Sequence, residues 1–294
     1  MKDLAHRLAD RSYWGNLAPA LHLDGEALSD KEAEISAERL EKLYRDLCRV
    51  GYYHVDGVLT PTQIHPVLEV CAKLHHIGLP LVFAFVYDET WNLFLRLAPL
   101  WARFLGEDWR VVPSLWGWFV EPGEAHAGWR PHRDRNSVPT VREDGTPCSL
   151  TAWIPLTPAL PNNGCIYIVP WPYALENLER ENLQRIRALP AMPGSVIGWH
   201  HEVYHWSGRS SEDAVFPRVS LSIELQRADT TALEGRVIDP RQLPAYPERL
   251  RLIGEQILRY RHMTGIHGNL EAIARELDPT YPTDPPHPLD LPDT

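Results

Sequence analysis

The stretch Trp129-Arg130-Pro131-His132-Arg133-Asp134-Arg135 says more about the fold than any other part of this sequence. If it is extended, alternate side chains point to the same side, so His132 and Asp134 present an imidazole and a carboxylate to one point. Two histidines and one carboxylate on one face of an iron ion leave its other positions open for a cosubstrate and for oxygen. A second such pair, His54-Val55-Asp56, begins an Asp-Gly turn among predicted helices, and we expect no metal there.

The missing histidine is predicted further along the chain, in the stretch Trp199-His200-His201-Glu202-Val203-Tyr204-His205. We expect His205 to supply it. Arg218 follows 13 residues later and opens an alternating strand pattern, so two adjacent strands would bring both side chains to one cavity. A planar guanidinium group suits a carboxylate, which it can bind through two parallel hydrogen bonds. The alternative places Arg218 at a strand end, paired with solvent or with Asp213.

The same stretch also matches the H-E-x-x-H sequence of zinc proteases. His201 and His205 would then bind zinc on a helix, and Glu202 would act as the base. The glycines at 198 and 208 leave only residues 199–207 for that helix, which is short for such a site. The zinc protease therefore remains an alternative, as does a non-catalytic β-barrel that binds a ligand. We expect His201 not to bind the metal.

The pattern of apolar residues predicts helices near both ends of the chain and short strands between them. The predicted helices cover residues 36–50, 60–76, 89–105, 173–189 and 247–263. The predicted strands cover residues 52–59, 81–87, 109–120, 149–156, 165–169, 195–199 and 215–225. This order predicts an α+β domain built on a β-sandwich or barrel.

Composition narrows the class of partner. The chain has 29 Lys and Arg against 39 Asp and Glu, a net charge of −10, which argues against a nucleic-acid partner. No run of 18 apolar residues predicts a transmembrane helix, and the N-terminus lacks the apolar core of a signal peptide, so the expected location is cytoplasmic. The four cysteines form no C-x-x-C pair and are expected to be free thiols.

Taken in order, these stretches resemble the phytanoyl-CoA dioxygenase-like branch of the iron(II)/2-oxoglutarate oxygenases. The resemblance covers about residues 45–228 and adds further stretches to those already quoted. These are 51–59 (Gly-Tyr-Tyr-His-Val-Asp-Gly-Val-Leu), 121–123 (Glu-Pro-Gly), 150–156 (Leu-Thr-Ala-Trp-Ile-Pro-Leu), 161–165 (Pro-Asn-Asn-Gly-Cys) and 193–195 (Pro-Gly-Ser). The ordered set is far more specific than any single motif in it.

The resemblance implies an α+β protein with a double-stranded β-helix core, the jelly-roll or cupin-like fold, and flanking α-helices. It implies that His132, Asp134 and His205 hold Fe(II). It also implies that Arg218 binds the distal carboxylate of 2-oxoglutarate, with Ser220 as a supporting hydroxyl. The implied reaction uses O2 to hydroxylate an unactivated C–H of a small molecule, and releases succinate and CO2.

A further contact to 2-oxoglutarate is predicted on the preceding strands. Thr151 and Trp153 share one strand face and are its candidates, although Trp153 can equally be a core residue. We expect the whole chain, 1–294, to form one oxygenase domain. Its helical part would reach about residue 107, its β-helix core would cover about 108–228, and a helix with a proline-rich tail would follow over 229–294.

The substrate side is predicted from Arg130, Trp129 and Trp199. Arg130 has the strand parity of the two metal ligands that follow it, so it would point toward the metal. An aromatic cavity with one convergent cation suits a small ligand that carries a carboxylate or a phosphate. This is the basis for predicting an anionic small-molecule substrate. The alternative is that Arg130 pairs with Glu121 or Glu124 outside the barrel, and that the tryptophans are core residues.

Overall fold

The structure is a computed structural model that describes residues 2–23, 25, 32–124, 130–135, 139–171, 173, 183–261 and 268–282. Its helices are α1 (Lys2–Ala9), α2 (Arg11–Leu17), α3 (Ala37–Val50), α4 (Pro61–His76), α5 (Asp88–Leu95), α6 (Ala98–Leu105), α7 (Tyr246–Arg259) and α8 (Gly268–Leu277). Its strands are β1 (Tyr52–Val55), β2 (Arg110–Val120), β3 (Ser149–Pro155), β4 (Ile166–Ile168), β5 (Arg187–Leu189), β6 (Val196–His200), β7 (His205–Ser207) and β8 (Arg218–Gln226).

Two antiparallel sheets form the β-helix. The larger has the strand order β1-β6-β3-β8-β2 and the smaller the order β5-β4-β7. Every residue of β3 and β8 is buried. Helices cover one face of the large sheet, and the other face lies toward the small sheet and the cleft between the sheets. The space between the sheets is filled by apolar side chains such as Trp153, Ile168 and Ile197. The expected jelly-roll core with flanking helices is thereby confirmed.

The helices pack on the outer face of the large sheet. Alternating residues of β8, such as Leu221 and Ile223, point outward into a large apolar core that also contains Phe83 and Trp101. The alternation of the strand therefore divides β8 into two faces, one for packing and one for the cleft. No described helix has the length and the apolar character that crossing a membrane requires.

Two predicted elements near the start of the chain are wrong. Residues 81–87 were predicted as a strand, but Leu81–Val86 form a 3₁₀ helix in which every side chain is buried. A short, wholly apolar run has no periodicity that distinguishes the two structures. The single helix predicted over 89–105 is two helices, α5 and α6. Pro99, in the first turn of α6, has no N–H to continue the hydrogen bonds of α5.

The predicted helix over 173–189 lies largely outside the described residues, and its last part, Arg187–Leu189, is strand β5. This strand pairs with β4, a contact that local sequence patterns do not report. Helix α8 was not predicted, and the proline-rich tail expected at the end of 229–294 is described only as far as residue 282.

Candidate functional site

Three side chains converge at one end of the small sheet. His205 begins β7, and His132 lies opposite it through two backbone hydrogen bonds of 3.1 and 3.0 Å. Asp134 Oδ1 lies 3.6 Å from His132 Nε2 and 3.4 Å from His205 Nε2. Two ligand atoms at right angles, each about 2.1 Å from one metal ion, would lie about 3 Å apart. The three groups therefore fit around one ion after only a small contraction.

Both imidazole rings are held in the orientation that metal binding needs. His132 Nδ1 donates to the carbonyl of Arg130 at 2.7 Å, and His205 Nδ1 donates to the carbonyl of Val203 at 3.1 Å. Each ring consequently carries its proton on Nδ1 and keeps the lone pair of Nε2 for the ion. Two imidazoles and one carboxylate make the facial donor set suited to Fe(II), so the residues present fit that metal.

The carboxylate of Asp134 is held by hydrogen bonds from Thr151 and Trp199. Thr151 Oγ1 donates to Asp134 Oδ2 at 2.7 Å, and Trp199 Nε1 donates to the same oxygen at 2.8 Å. Thr151 was expected near 2-oxoglutarate and Trp199 near the substrate, whereas both contact the carboxylate ligand. They are direct partners across β3 and β6, so the cross-strand register brings them together. With Oδ2 occupied, Oδ1 is left for the ion.

Electrostatics keep these groups in the protonation states that bind a cation. Burial lowers the pKa of His132 below its ordinary value, and the nearby His205 acts in the same direction. Burial alone would raise the pKa of Asp134, but the neighbouring imidazoles of His205 and His132 hold it well below its usual range. Near neutral pH the site therefore offers an unprotonated His132 and a carboxylate.

Arg218 begins β8 and reaches the same cleft. Its residue is 1% exposed, and burial lowers its pKa to about 10, so it stays charged near neutral pH. Nη1 donates to Ser220 Oγ at 2.8 Å, while Nε and Nη2 have no hydrogen-bond partner among the described residues. A buried charge without a counter-ion is costly, so this guanidinium group calls for an anionic ligand. Trp153 lies beside it, with the ring centre 5.9 Å from Cζ.

The turn after β3 leaves room for this guanidinium group. Gly164 has φ +88°, a region that favours glycine. A Cβ there would lie 2.7 Å from the carbonyl oxygen of Gly208 and 3.4 Å from Arg218 Nε. The Asn-Gly turn predicted at 161–165 thus lies against Arg218.

His132, Asp134, His205 and Arg218 all line one cleft, which has a volume of about 910 Å³ when its open mouth is included. Besides the triad and Arg218, it is lined by Ser114, Leu115, Trp116, Trp118, Arg135, Thr151, Trp153, Ile166, Trp199, Trp206, Ser207, Ser222, Glu224, Arg259 and Tyr260.

Sequence reasoning missed a network of alternating charges along one wall of the cleft. Arg135 lies 2.6 Å from Glu224 and 2.6 Å from Glu234, and Glu234 lies 2.7 Å from Arg259 on α7. Burial would raise the pKa of Glu224, but Arg135 holds it below its ordinary value. Arg135 directly follows a metal ligand, yet nothing local in the sequence identifies its two carboxylate partners.

The remaining predicted substrate residues do not lie in the described part of the cleft. Trp129 falls outside the described residues. Arg130 is exposed and does not line the cleft.

The zinc-protease geometry is absent from the H-E-x-x-H stretch. Residues 201–204 form a turn rather than a helix. Glu202 Oε1 accepts from the backbone N–H groups of Thr140 and Val141 at 2.7 and 3.0 Å, and His201 Nδ1 lies 2.8 Å from Ser149 Oγ. The site of that alternative is therefore not assembled.

The other H-x-D pair also stands apart from the three converging groups. His54 Nε2 lies 3.0 Å from Asp56 Oδ1, which also accepts from Ser195 Oγ at 2.9 Å. Neither residue belongs to the group of potential ligands formed by His132, Asp134 and His205.

Comparison with solved structures supports the fold. The epimerase SnoN, in complex with Fe3+, α-ketoglutarate and nogalamycin RO, is 22% identical over 66% of this chain and 85% of its own, with a TM-score of 0.53. The non-haem monooxygenase ThoJ, as a nickel complex, is 16% identical over 75% of this chain and 97% of its own, with a TM-score of 0.55. HygX from Streptomyces hygroscopicus, with nickel and 2-oxoglutarate bound, is 15% identical over 68% of this chain and 89% of its own, with a TM-score of 0.50.

No curated protein matches the chain. A family model does: the model for phytanoyl-CoA dioxygenase (PhyH) matches residues 72–216, which include all three converging ligands. The match agrees with the motifs, with the double-stranded β-helix and with the position of the triad in it. Residues 72–216 of this chain are therefore similar to the phytanoyl-CoA dioxygenase (PhyH) family.

Proposed function

We propose that this protein is an iron(II)/2-oxoglutarate-dependent oxygenase that hydroxylates a C–H bond of a small molecule. The observation that carries the proposal is the shared cleft, in which a His-Asp-His triad lies near a buried arginine. Two nitrogens of that arginine have no hydrogen-bond partner among the described residues. His132, Asp134 and His205 would hold iron(II), and Arg218 would hold the distal carboxylate of 2-oxoglutarate. When bound, iron(II) and 2-oxoglutarate supply the activation of oxygen.

The chain's own residues have four tasks in this reaction. Thr151 and Trp199 orient the Asp134 carboxylate, so that a single oxygen faces the ion. Ser220 orients the Arg218 guanidinium group toward the cleft. The apolar and aromatic lining excludes water around the reacting groups, and the open cleft positions the substrate C–H bond.

Hydroxylation is proposed rather than halogenation because a carboxylate stands at the third ligand position. Related halogenases have a small residue there, which leaves a place for chloride, whereas Asp134 fills that place here. The similar structures include proteins named as an epimerase, a carbocyclase and a monooxygenase, so the product itself has to be measured. Hydroxylation predicts that one atom of 18O2 appears in the product and the other in succinate. A product that is chlorinated, or that contains no oxygen from O2, would contradict it.

The cofactors are tested by anaerobic titration of the metal-free protein with iron(II) and 2-oxoglutarate, followed by the weak visible charge-transfer band. We expect the band to form with the wild type, to disappear in His132→Ala, and to remain in His54→Ala, a histidine outside the triad. Binding of zinc without formation of the band would favour the zinc protease. Binding of neither iron(II) nor 2-oxoglutarate would favour the non-catalytic β-barrel.

The role of Arg218 has its own readout. Removing one side of a buried charged pair costs roughly 3–5 kcal/mol, or about two to four decades of affinity. Arg218→Ala should therefore raise the dissociation constant of 2-oxoglutarate by about that factor, while iron(II) binding without 2-oxoglutarate stays near the wild-type value. Unchanged affinity for 2-oxoglutarate would remove this residue from the proposal.

A further inference from the structure

The charged side chains on the cleft wall are satisfied by one another. Arg135 contacts the carboxylates of Glu224 and Glu234, each at 2.6 Å. Arg259 contacts Glu234 at 2.7 Å and Glu255 at 3.1 Å. Among the described residues that line the cleft, Arg218 is then the cation that lacks a carboxylate partner. A substrate anion would have to compete for that residue or break an existing pair.

When iron(II) and 2-oxoglutarate are bound, the positive and negative charges around the metal site sum to zero. The following step rests on the proposed function, because it assigns Arg218 to 2-oxoglutarate. The two positive charges of iron(II), together with Arg218, equal the three negative charges of Asp134 and the 2-oxoglutarate carboxylates. An ionised substrate group that entered this cleft would lose its hydration without gaining a counter-ion, which is strongly unfavourable.

Aromatic side chains form the walls that such a substrate would meet. Trp116 and Tyr260 pack edge to face with their ring centres 4.8 Å apart. Trp116, Ser222 and Trp153 are direct neighbours across β2, β8 and β3, so a hydroxyl group lies between two indole rings. Flat aromatic surfaces with a neutral hydroxyl favour rings over flexible chains, because they offer large contacts and few compensating charges.

We propose that the part of the substrate that enters this cleft is an uncharged ring, and that Trp116 and Tyr260 are its specificity-determining contacts. The Arg135–Glu224 pair maintains the preference against charge, because it places opposite charges side by side on the cleft wall. This replaces the anionic substrate that the sequence suggested, for which the exposed Arg130 was the only support.

The test uses three probes that share one ring system: 2-naphthylmethanol, 2-naphthoate and 2-naphthylmethylamine. Equilibrium dialysis measures their binding under anaerobic conditions, with iron(II) and 2-oxoglutarate present, so that turnover is not required. We expect the alcohol to bind at least about tenfold more tightly than either ion. A charged probe that binds as tightly as the alcohol, or binding of none of the three, would overturn the proposal.

Variants of the charged pair give a readout that a merely structural role would not move. Glu224→Gln removes one negative charge from the cleft wall and should shift the preference by about tenfold toward naphthoate, whereas Arg135→Gln removes one positive charge and should shift it similarly toward the amine. If neither variant changes the order of the probes, the pair does not set the charge preference and the proposal is wrong.

The ring contact is tested separately with Tyr260→Ala, which should weaken the alcohol probe about tenfold, and Tyr260→Phe, which should restore most of the binding. Tyr44→Ala is the matched control, because that half-buried tyrosine packs on Arg103 and Phe104 away from the cleft. Equal weakening by Tyr44→Ala would contradict a specific contact.

Failure of the oxygenase function can be told apart from failure of this inference. The visible band reports whether iron(II) and 2-oxoglutarate occupy the protein at all. If they do not, Arg218→Met removes the unpaired cation, and the three probes are compared in that variant without cofactors. The same ranking there supports the uncharged ring, and a preference for naphthoate rejects it.

Discussion

In the Asp134 carboxylate, a single oxygen atom receives two hydrogen bonds. Thr151 and Trp199 both donate to Asp134 Oδ2, which fixes the rotation of the carboxylate and leaves Oδ1 toward the two imidazoles. Neither donor is a ligand, but both determine how well the ligand is placed. Groups of this kind typically contribute one to two decades of metal affinity.

Thr151→Val tests this contribution, because valine keeps the shape of the side chain and removes the hydroxyl. We expect iron(II) to bind about 10–100-fold more weakly, measured by anaerobic calorimetry. Ser149→Ala is the control on the same strand, since Ser149 Oγ contacts His201 rather than a triad residue. An equal loss in both variants would show that the effect comes from β3 as a whole and not from the bond to Asp134.

At the scale of elements, the backbone of the turn between β3 and β4 packs against the buried Arg218. Gly164 adopts a positive φ and packs against both the Gly208 carbonyl and Arg218. The turn residues were predicted from sequence, whereas their contact with β8 depends on how the strands assemble.

Gly164→Ala should therefore have two effects. The strained backbone should lower the free energy of unfolding by about 1–3 kcal/mol, and displacement of Arg218 should weaken 2-oxoglutarate about tenfold or more. Gly57→Ala is a matched control, because Gly57 also has a positive φ, +68°, but a Cβ there would meet nothing within 4 Å. It should lose stability without a change in 2-oxoglutarate binding, and a loss of cosubstrate affinity there would contradict the contact argument.

For the molecule as a whole, buried neutral histidines set the response to acid. Burial, with the nearby His201, lowers the pKa of His200 to about 3, and burial also lowers the pKa of His201 and His132. The unfolded chain takes up protons at these residues below about pH 6.5, whereas the folded protein does not. Stability should consequently fall as the pH decreases from about 6.5 toward the lowered native pKa values.

Urea denaturation of the metal-free protein measures this effect. At about 1.4 kcal/mol per pKa unit, His200 alone should remove about 2 kcal/mol of unfolding free energy between pH 6.5 and pH 5. His200→Leu should make the pH profile shallower by about that amount. An unchanged slope in this variant would mean that His200 takes up its proton in the folded protein as well.

The sequence by itself singled out the residues that converge in the cleft, although His132 and Asp134 lie at one isolated bridge rather than in a strand. Alternation along a predicted extended stretch placed His132 and Asp134 on one side, and order along the chain singled out His205 and Arg218. In the fold, one ligand atom from each of His132, Asp134 and His205 lies within 4.8 Å of the others. These inferences succeed because strand parity and turn chemistry are local properties, which neighbouring residues set.

Only the tertiary structure decided which side chains contact Asp134 and Arg135. Thr151 and Trp199 meet at Asp134 because β3 and β6 pair in one register, and Arg135 finds Glu224 and Glu234 across long separations in the chain. The same holds for the buried 3₁₀ helix, whose apolar run fits several local structures until neighbouring helices enclose it. Register and packing depend on residues far apart in sequence, and a one-residue shift would turn each side chain to the opposite face, so no local pattern specifies them.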